Sequence, residues 1–179
     1  MVEAVHRRYF LQTLALAAPA LAFPDVGFAM PRVSRRLRFD HLHTGEKLDV
    51  EYMTGGEYVP AALMSVNELL RDFRTGEQHV IDPALLDLLH GLTDSTGTSR
   101  PFEVISGYRS PTTNAQLRER SHGVASGSLH MQGMAIDIRL GDVQLTHLRD
   151  AARALKRGGV GYYRASNFVH VDTGRVRTW

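Results

Sequence analysis

The sequence predicts an α+β fold in which a small antiparallel sheet packs against helices. Apolar residues recur at helical spacing through much of the first half, whereas short strand-like runs hold most of the second half. The chain has 179 residues, 43% of them apolar, which is enough for one domain with a hydrophobic core. We see neither an internal repeat nor a domain linker, so residues 30–179 are predicted to form a single domain.

The first half is predicted to contain a hairpin and two helices. Apolar and polar residues alternate on both sides of the turn HTGEK, which predicts the hairpin. Leu63 and Val66 begin a helical repeat, while Asp82 and Pro83 suit the cap and the first position of a second helix. The predicted ranges are 37–53 for the hairpin, 60–74 and 82–92 for the helices, and 95–100 for a loop.

The second half is predicted to hold most of the sheet. Its runs of β-branched and aromatic residues alternate with polar helical segments, of which the longest has one apolar face. The predicted ranges are 102–107, 134–140, 159–163 and 168–174 for strands, 112–121 and 144–156 for helices, and 121–128 for a Gly/Ser-rich loop.

Residues 1–29 are predicted to be a signal peptide rather than part of the fold. Arg7 and Arg8 precede an apolar run of about fifteen residues, which is short of the roughly 20 needed to span a bilayer. The segment RRYFLQ also resembles a twin-arginine export signal. We therefore expect a periplasmic or exported protein without a membrane span in its mature form, an uncleaved anchor helix being the alternative.

Composition narrows the chemistry that the chain can perform. There is no cysteine, which excludes disulfides, cysteine nucleophiles and thiolate metal ligands. A net charge of +2 is too mild for a nucleic-acid partner, for which a concentrated basic face is expected. Nine histidines leave metal binding through imidazole and carboxylate groups open.

The stretch SLHMQGMAIDI contains a candidate pair of metal ligands, His130 and Asp137. A straight strand would hold them roughly 23 Å apart, whereas two ligands of one zinc ion lie within about 4 Å, so the chain between them must turn back. Gly133 is free to take the positive φ of such a turn. Beyond the turn, Asp137 is a carboxylate in a hydrophobic strand, which is unfavourable without a cation beside it.

His170, in the strand FVHVD, is the third candidate ligand. Two imidazoles and one carboxylate leave a fourth position open for water, which is typical of a catalytic zinc site. The alternative is a hydrogen-bonded core histidine and an aspartate that caps a turn or pairs with an arginine. The other histidines after the signal are predicted on the surface or in helices, with His122 able to line the site: His41, His43, His79, His90, His122 and His147.

Three segments of the chain resemble the murein endopeptidase K family of the M15 zinc peptidases: SGYRSPTTNAQLR, SLHMQGMAIDI and GGVGYYRASNFVHVDTGRVRTW. The resemblance implies a fold shared with D-alanyl-D-alanine peptidases and the zinc domain of hedgehog proteins. It also implies that His130, Asp137 and His170 bind Zn²⁺. Arg109 would bind the substrate or steady the oxyanion on the scissile carbonyl.

The general base is the point where the sequence departs from that family. Some relatives have a glutamate three residues before the last histidine ligand, and others a histidine two residues before it; here these positions are Asn167 and Phe168. The nearest carboxylate is Asp172. It could act as the general base, orient His170, or simply stabilise the turn that follows the strand. His122 is a less favoured base. The tyrosines that are candidates for lining the groove are Tyr108, Tyr162 and Tyr163.

The resemblance implies a zinc-dependent endopeptidase that cuts peptide cross-links between peptidoglycan stems, in particular those between diaminopimelate residues. We also expect the protein to be a monomer. One alternative is an iron(II) oxygenase, since two histidines and a carboxylate also form its facial triad, but the chain has too few strands for the usual barrel. Another is a zinc-containing peptidoglycan-binding module without turnover, for which Asn167 is the best argument.

Overall fold

The computed structural model describes residues 33–120 and 124–179. The predicted signal peptide, residues 1–29, and His122 lie outside these ranges. Within them, no helix combines the length and the apolar character that crossing a membrane requires.

Eight strands form one mixed sheet, in the order β3-β2-β1-β4-β5-β7-β6-β8. They are β1 (Ser34–His41), β2 (Lys47–Thr54), β3 (Glu57–Tyr58), β4 (Phe102–Ser106), β5 (Ala135–Arg139), β6 (Gly159–Tyr163), β7 (Phe168–Asp172) and β8 (Arg177–Thr178). The helices are α1 (Pro60–Leu69), α2 (Pro83–Thr96), α3 (Pro111–Arg120) and α4 (Leu145–Leu155), with a 3-10 helix over Leu129–Gln132. The α+β class is therefore confirmed.

The sheet is larger than predicted and is not wholly antiparallel. The pairs β1/β4 and β6/β8 are parallel. The sequence pattern missed β3 and β8 because two residues are too few to show an alternation. These short strands are the two edge strands of the sheet.

Two helix ends differ from the predicted ranges. The first helix was predicted to reach residue 74, but α1 ends at Leu69, and Asp72 instead begins a turn in which Gly76 has a φ of 75°. The second helix continues to Thr96 because Gly97, in the left-handed region, ends it. The predicted cap is confirmed: the Asp82 carboxylate accepts a hydrogen bond from the Ala84 backbone N–H at 3.0 Å.

The central strands separate an apolar face from a polar one. Ile136 and Ile138 of β5 are fully buried in the core beside Val169 and Val171 of β7, and α2 and α4 pack in the same core. The alternate residues of both strands point to the opposite face, as the period of two requires. The polar candidates of these strands therefore share one side of the sheet.

His41 does not lie on the surface, contrary to the prediction. It is 1% exposed at the end of β1, where its Nδ1 accepts hydrogen bonds from the backbone N–H groups of His43 and Thr44, both at 3.3 Å. These contacts fold the hairpin turn back on the imidazole, so the residue belongs to the framework of that turn.

Candidate metal centre

Adjacent strands place Asp137 and His170 side by side. β5 and β7 pair antiparallel, with Asp137 directly opposite His170 and Ala135 opposite Asp172. Opposed residues of an antiparallel pair lie about 5 Å apart at Cβ, on the same face. Two of the three predicted ligands therefore meet through strand register alone.

His130 reaches the same place from the 3-10 helix that precedes β5. That helix ends at Gly133, whose φ of 67° provides the predicted turn. A Cβ on Gly133 would lie 2.1 Å from the carbonyl oxygen of Val80, so the close approach of the two backbones also requires glycine. The turn folds His130 back over the start of β5.

The three side chains form a compact, buried cluster. His170 Nδ1 lies 2.9 Å from Asp137 Oδ1, and His130 Nε2 lies 3.2 Å from the same oxygen. The two imidazole nitrogens are 3.1 Å apart. His130 is 2% exposed, Asp137 5% and His170 8%, so water covers little of the cluster.

Hydrogen bonds outside the cluster determine which way each imidazole turns its lone pair. His130 Nδ1 lies 2.7 Å from the carbonyl oxygen of Gly107, which accepts only, so Nδ1 carries the hydrogen. His170 Nε2 lies 3.0 Å from a carboxylate oxygen of Asp172 and likewise donates. His130 Nε2, His170 Nδ1 and Asp137 Oδ1 therefore direct three lone pairs at one point.

This donor set fits a zinc ion. Ligands about 2.1 Å from one tetrahedral zinc ion are about 3.4 Å apart, and the three observed separations lie a few tenths of an ångström below that value. His130, Asp137 and His170 are also the one group of described residues whose ligand atoms all lie close enough to share an ion. Three converging lone pairs without a hydrogen between them favour a cation.

The electrostatics of the cluster keep Asp137 charged. Burial opposes the charged form, but without a metal an imidazole of His130 or His170 that takes up a second proton donates to the carboxylate and holds the pKa of Asp137 well below its usual range. Burial also opposes the charged form of His170, yet Asp137 and Asp172 on its two sides raise its pKa. Both shifts favour the ionised form of Asp137, which is the form that binds a metal.

Asp172 lies behind His170 rather than in the cleft. It is fully buried, and its carboxylate accepts hydrogen bonds from the backbone N–H groups of Gly159 and Gly174 at 3.0 and 2.9 Å. Arg177 Nη2 donates to it at 2.7 Å. Although burial opposes ionisation, His170, Arg177 and the two backbone donors hold the pKa of Asp172 well below its usual range. This carboxylate orients His170 and is shielded from the cleft.

Arg109 borders the cluster on the other side. Its Nη2 lies 3.5 Å from Asp137 Oδ2, and its side chain is 11% exposed. Its backbone N–H donates to the carbonyl oxygen of His130 at 3.2 Å. Burial lowers the pKa of Arg109, which Asp137 partly offsets. The guanidinium is therefore held at the edge of the cluster, beside the carboxylate of Asp137.

The cluster lies in a cleft of about 690 Å³. Of the three candidate tyrosines, Tyr163 lines the cleft, whereas Tyr108 is buried and Tyr162 packs against the core. Tyr163 stacks on Phe168 with 4.5 Å between ring centroids and accepts a hydrogen bond from Trp179 Nε1 at 2.8 Å. These three rings form an aromatic wall beside His170.

Several lining residues carried no signal in the sequence. His43 and Arg74 come from parts of the chain far from the three ligands, and no spacing relates them to the ligands. Trp179 follows His170 in a segment that resembles the family, but no pattern placed its ring in the cleft. Asn167, at the position where some relatives have a glutamate, is an exposed turn residue with a φ of 54°, a conformation that asparagine tolerates. Among the described residues that line the cleft, Asp137 is the one carboxylate.

Comparison with known proteins identifies the family of the chain. The family model described as peptidoglycan L,D-endopeptidase MepK matches residues 30–179. The chain is 42% identical to peptidoglycan L,D-endopeptidase MepK of Escherichia coli (strain K12), and the match covers 92% of this chain and 89% of that protein. It is 40% identical to the probable peptidoglycan L,D-endopeptidase MepK of Haemophilus influenzae, over 97% of this chain and 95% of that one. The chain therefore belongs to the MepK family of M15 peptidases.

Proposed function

We propose that this chain is a zinc-dependent endopeptidase that hydrolyses peptide cross-links of peptidoglycan. The observation that carries the proposal is the convergence of His130, Asp137 and His170 at the floor of a cleft, in a chain whose relatives are named peptidoglycan L,D-endopeptidases. The bond proposed to be cut joins two diaminopimelate residues of neighbouring stems.

The metal would be held by His130 Nε2, His170 Nδ1 and a carboxylate oxygen of Asp137. When bound, zinc supplies Lewis-acid chemistry, polarising a carbonyl group and lowering the pKa of water. Asp172 holds His170 in the tautomer that ligation needs, and the carbonyl of Gly107 does the same for His130. Both imidazoles are thus oriented for ligation by these hydrogen bonds.

Arg109 would bind the substrate or stabilise negative charge that develops on the scissile carbonyl oxygen. Its guanidinium remains protonated at neutral pH and lies beside Asp137 at the edge of the cluster. A buried donor that needs no rearrangement is most effective against charge that appears only in the transition state. Asp172 is proposed as a positioning residue rather than the base, because five N–H donors, from His170, Arg177 and two backbone groups, already occupy its carboxylate.

We further propose that the protein acts outside the cytoplasm as a monomer and that residues 1–29 direct its export. Peptidoglycan, the substrate in the names of the relatives, lies beyond the cytoplasmic membrane, and the N-terminal segment has the pattern of a signal peptide. Residues 30–179 would then be the single catalytic domain.

A second candidate function is a zinc-containing peptidoglycan-binding module. Two observations favour it: Asn167 replaces a glutamate of some relatives, and the described cleft has no carboxylate besides Asp137. Such a module would retain the metal cluster and bind peptide stems without cleaving them.

The test is to incubate the zinc-loaded chain with isolated peptidoglycan and to identify the released fragments by mass spectrometry. We expect cross-linked dimers to be converted into monomers by the wild type. The variant Asp137→Asn should release nothing, whereas the matched control Asp150→Asn, at an exposed carboxylate of α4, should behave like the wild type. A wild-type chain that binds one zinc ion and releases no monomers would instead favour the binding module.

A further inference from the structure

The side chains that line the cleft include more positively charged groups than negatively charged ones. Three arginines line it, Arg74, Arg109 and Arg177, against the single described carboxylate of Asp137. Arg177 is already paired with the buried carboxylate of Asp172. This leaves Arg74 and Arg109 as the cations that an incoming ligand meets.

Arg74 is held at the cleft by an aromatic stack. Its guanidinium carbon lies 4.1 Å from the centroid of the Phe73 ring, and Phe73 stacks on His43 with 4.2 Å between centroids and 10° between planes. Within the described ranges, Arg74 forms no ion pair. A contact with the ring face does not use the N–H donors of the guanidinium, so Arg74 remains able to bind an anion.

The buried carboxylate of Asp72 ties the backbone of Arg74 to the loop that carries Arg109. Asp72 Oδ1 accepts a hydrogen bond from the backbone N–H of Arg74 at 3.0 Å, and Oδ2 accepts one from Ser110 at 2.9 Å. Asp72 itself is fully buried. Because the backbone of Arg109 is bonded in turn to His130, the backbones of both arginines are tied to the metal site, from which the exposed side chain of Arg74 extends along the cleft.

One N–H donor of Arg109 has no partner in the part of the chain that the structure describes, although Asp137 lies beside the guanidinium. The Nε of Arg109 is buried and has no hydrogen-bond partner among the described residues. Burial and the nearby charge of Arg74 lower the pKa of Arg109, and the carboxylates of Asp137 and Asp72 partly offset this. A carboxylate bound between the guanidinium groups would offset the repulsion between the two cations.

We propose that Arg74, acting with Arg109, binds a free carboxylate of the substrate next to the scissile amide and thereby selects carboxylate-bearing over amidated cross-links. This inference rests on the proposed endopeptidase function. In a bond between two diaminopimelate residues, the carbon that carries the amide nitrogen also bears a carboxylate. That group is the anion which enters the cleft together with the scissile bond.

The experiment uses the zinc-loaded full chain and two synthetic cross-linked dimers that differ at this group, one with the free carboxylate and one with its primary amide. We expect the wild type to have a KM about tenfold lower for the free carboxylate, as the loss of one charge-assisted hydrogen bond predicts. In Arg74→Gln the two KM values should converge, with kcat changed much less. The control Arg100→Gln removes the same charge from an exposed position remote from the cleft and should keep the preference.

Binding provides a second measurement that does not depend on cleavage. Calorimetric titration of both dimers into Asp137→Asn should show the same preference, and the double variant with Arg74→Gln should lose it. Equal affinities before Arg74 is changed, or a preference that survives its change, would overturn the role of Arg74. A preference in binding without cleavage by the wild type would instead overturn the endopeptidase function.

Discussion

At the scale of single residues, the candidate centre depends on contacts behind the ligands. His170 has one nitrogen turned towards Asp137 and the other held by Asp172. An imidazole can direct a lone pair at a metal only when its other nitrogen carries the hydrogen. The residue that selects the tautomer is therefore as necessary to the site as the ligand.

Asp172→Asn should weaken zinc binding by about tenfold to a hundredfold, because the amide no longer holds His170 as the carboxylate does. Trp179, the single tryptophan, has its ring centroid 5.2 Å from that of His170, so its emission should report zinc in competition with a chelator. Asp150→Asn is the matched control. Unchanged zinc affinity with loss of peptidase activity would show that Asp172 acts as the base instead.

At the scale of elements, short connections between strands and helices determine whether the candidate ligands lie close together. The 3-10 helix must reverse within a few residues for His130 to meet β5, and Gly133 makes the reversal against the backbone of Val80. On the other side of the core, Asp87 of α2 is tied to the first three strands. These two contacts yield separate predictions for stability.

Gly133→Ala should lower the free energy of unfolding by about 3 kcal/mol or more, because strain at positive φ adds to the overlap with the carbonyl oxygen of Val80. Gly45→Ala is the matched control, since Gly45 has a φ of 74° and nothing within 4 Å of its added Cβ. It should lose only about 1 kcal/mol, the cost of strain alone. Urea unfolding measures the free energy of unfolding of both variants. Equal losses in the two would contradict the predicted overlap at Gly133.

Asp87 should make stability depend on pH. Its carboxylate accepts hydrogen bonds from Arg35 at 2.6 Å, Tyr52 at 2.9 Å and Tyr58 at 2.8 Å. Burial opposes the charged form, but these donors hold the pKa of Asp87 below its usual range. Because the folded pKa lies below the unfolded one, the stabilisation is present above about pH 5 and is lost as the pH falls through the folded pKa.

Asp87→Asn should therefore cost about 2 kcal/mol of unfolding free energy at pH 7. The difference from the wild type should shrink as the pH falls below about 4, where the wild-type carboxyl also becomes neutral. Denaturant unfolding across this range measures it. Asp94→Asn, on the exposed side of the same helix, is the control, and a difference that stays constant with pH would contradict the assignment.

At the scale of the whole molecule, the metal cluster joins segments that are distant in sequence. His130 precedes β5, Asp137 lies within it and His170 belongs to β7, all at the centre of the sheet. A ligand that binds only the folded state stabilises it in proportion to the logarithm of its free concentration. Zinc binding should therefore stabilise the packing of the central strands.

Zinc at about a thousandfold excess over its Kd should add about 4 kcal/mol, equivalent to a rise in Tm of about 10 °C for a chain of this size. A chelator should reverse the shift, and the Tm of Asp137→Asn should not respond to zinc. Scanning calorimetry at several zinc concentrations measures the effect. A wild-type Tm that is independent of zinc would show that the metal does not bind the folded chain at this cluster.

The sequence by itself determined the elements and the chemical types at the site. The alternation around HTGEK, the cap at Asp82 and the need for positive φ at Gly133 are local properties, and the structure has all three. The pairing of two imidazoles with a carboxylate was readable because a charged residue in an apolar strand requires a partner. Local periodicity and residue chemistry carried this part of the prediction.

Only the tertiary structure decided how those residues meet. It placed Asp137 opposite His170 and turned Asp172 away from the cleft. It also brought Arg74 and Trp179 to the cleft from the turn after α1 and from the end of the chain. Strand order and register depend on packing between segments that are tens of residues apart. Because no local pattern encodes that packing, the composition of the site was predictable from the sequence and its surroundings were not.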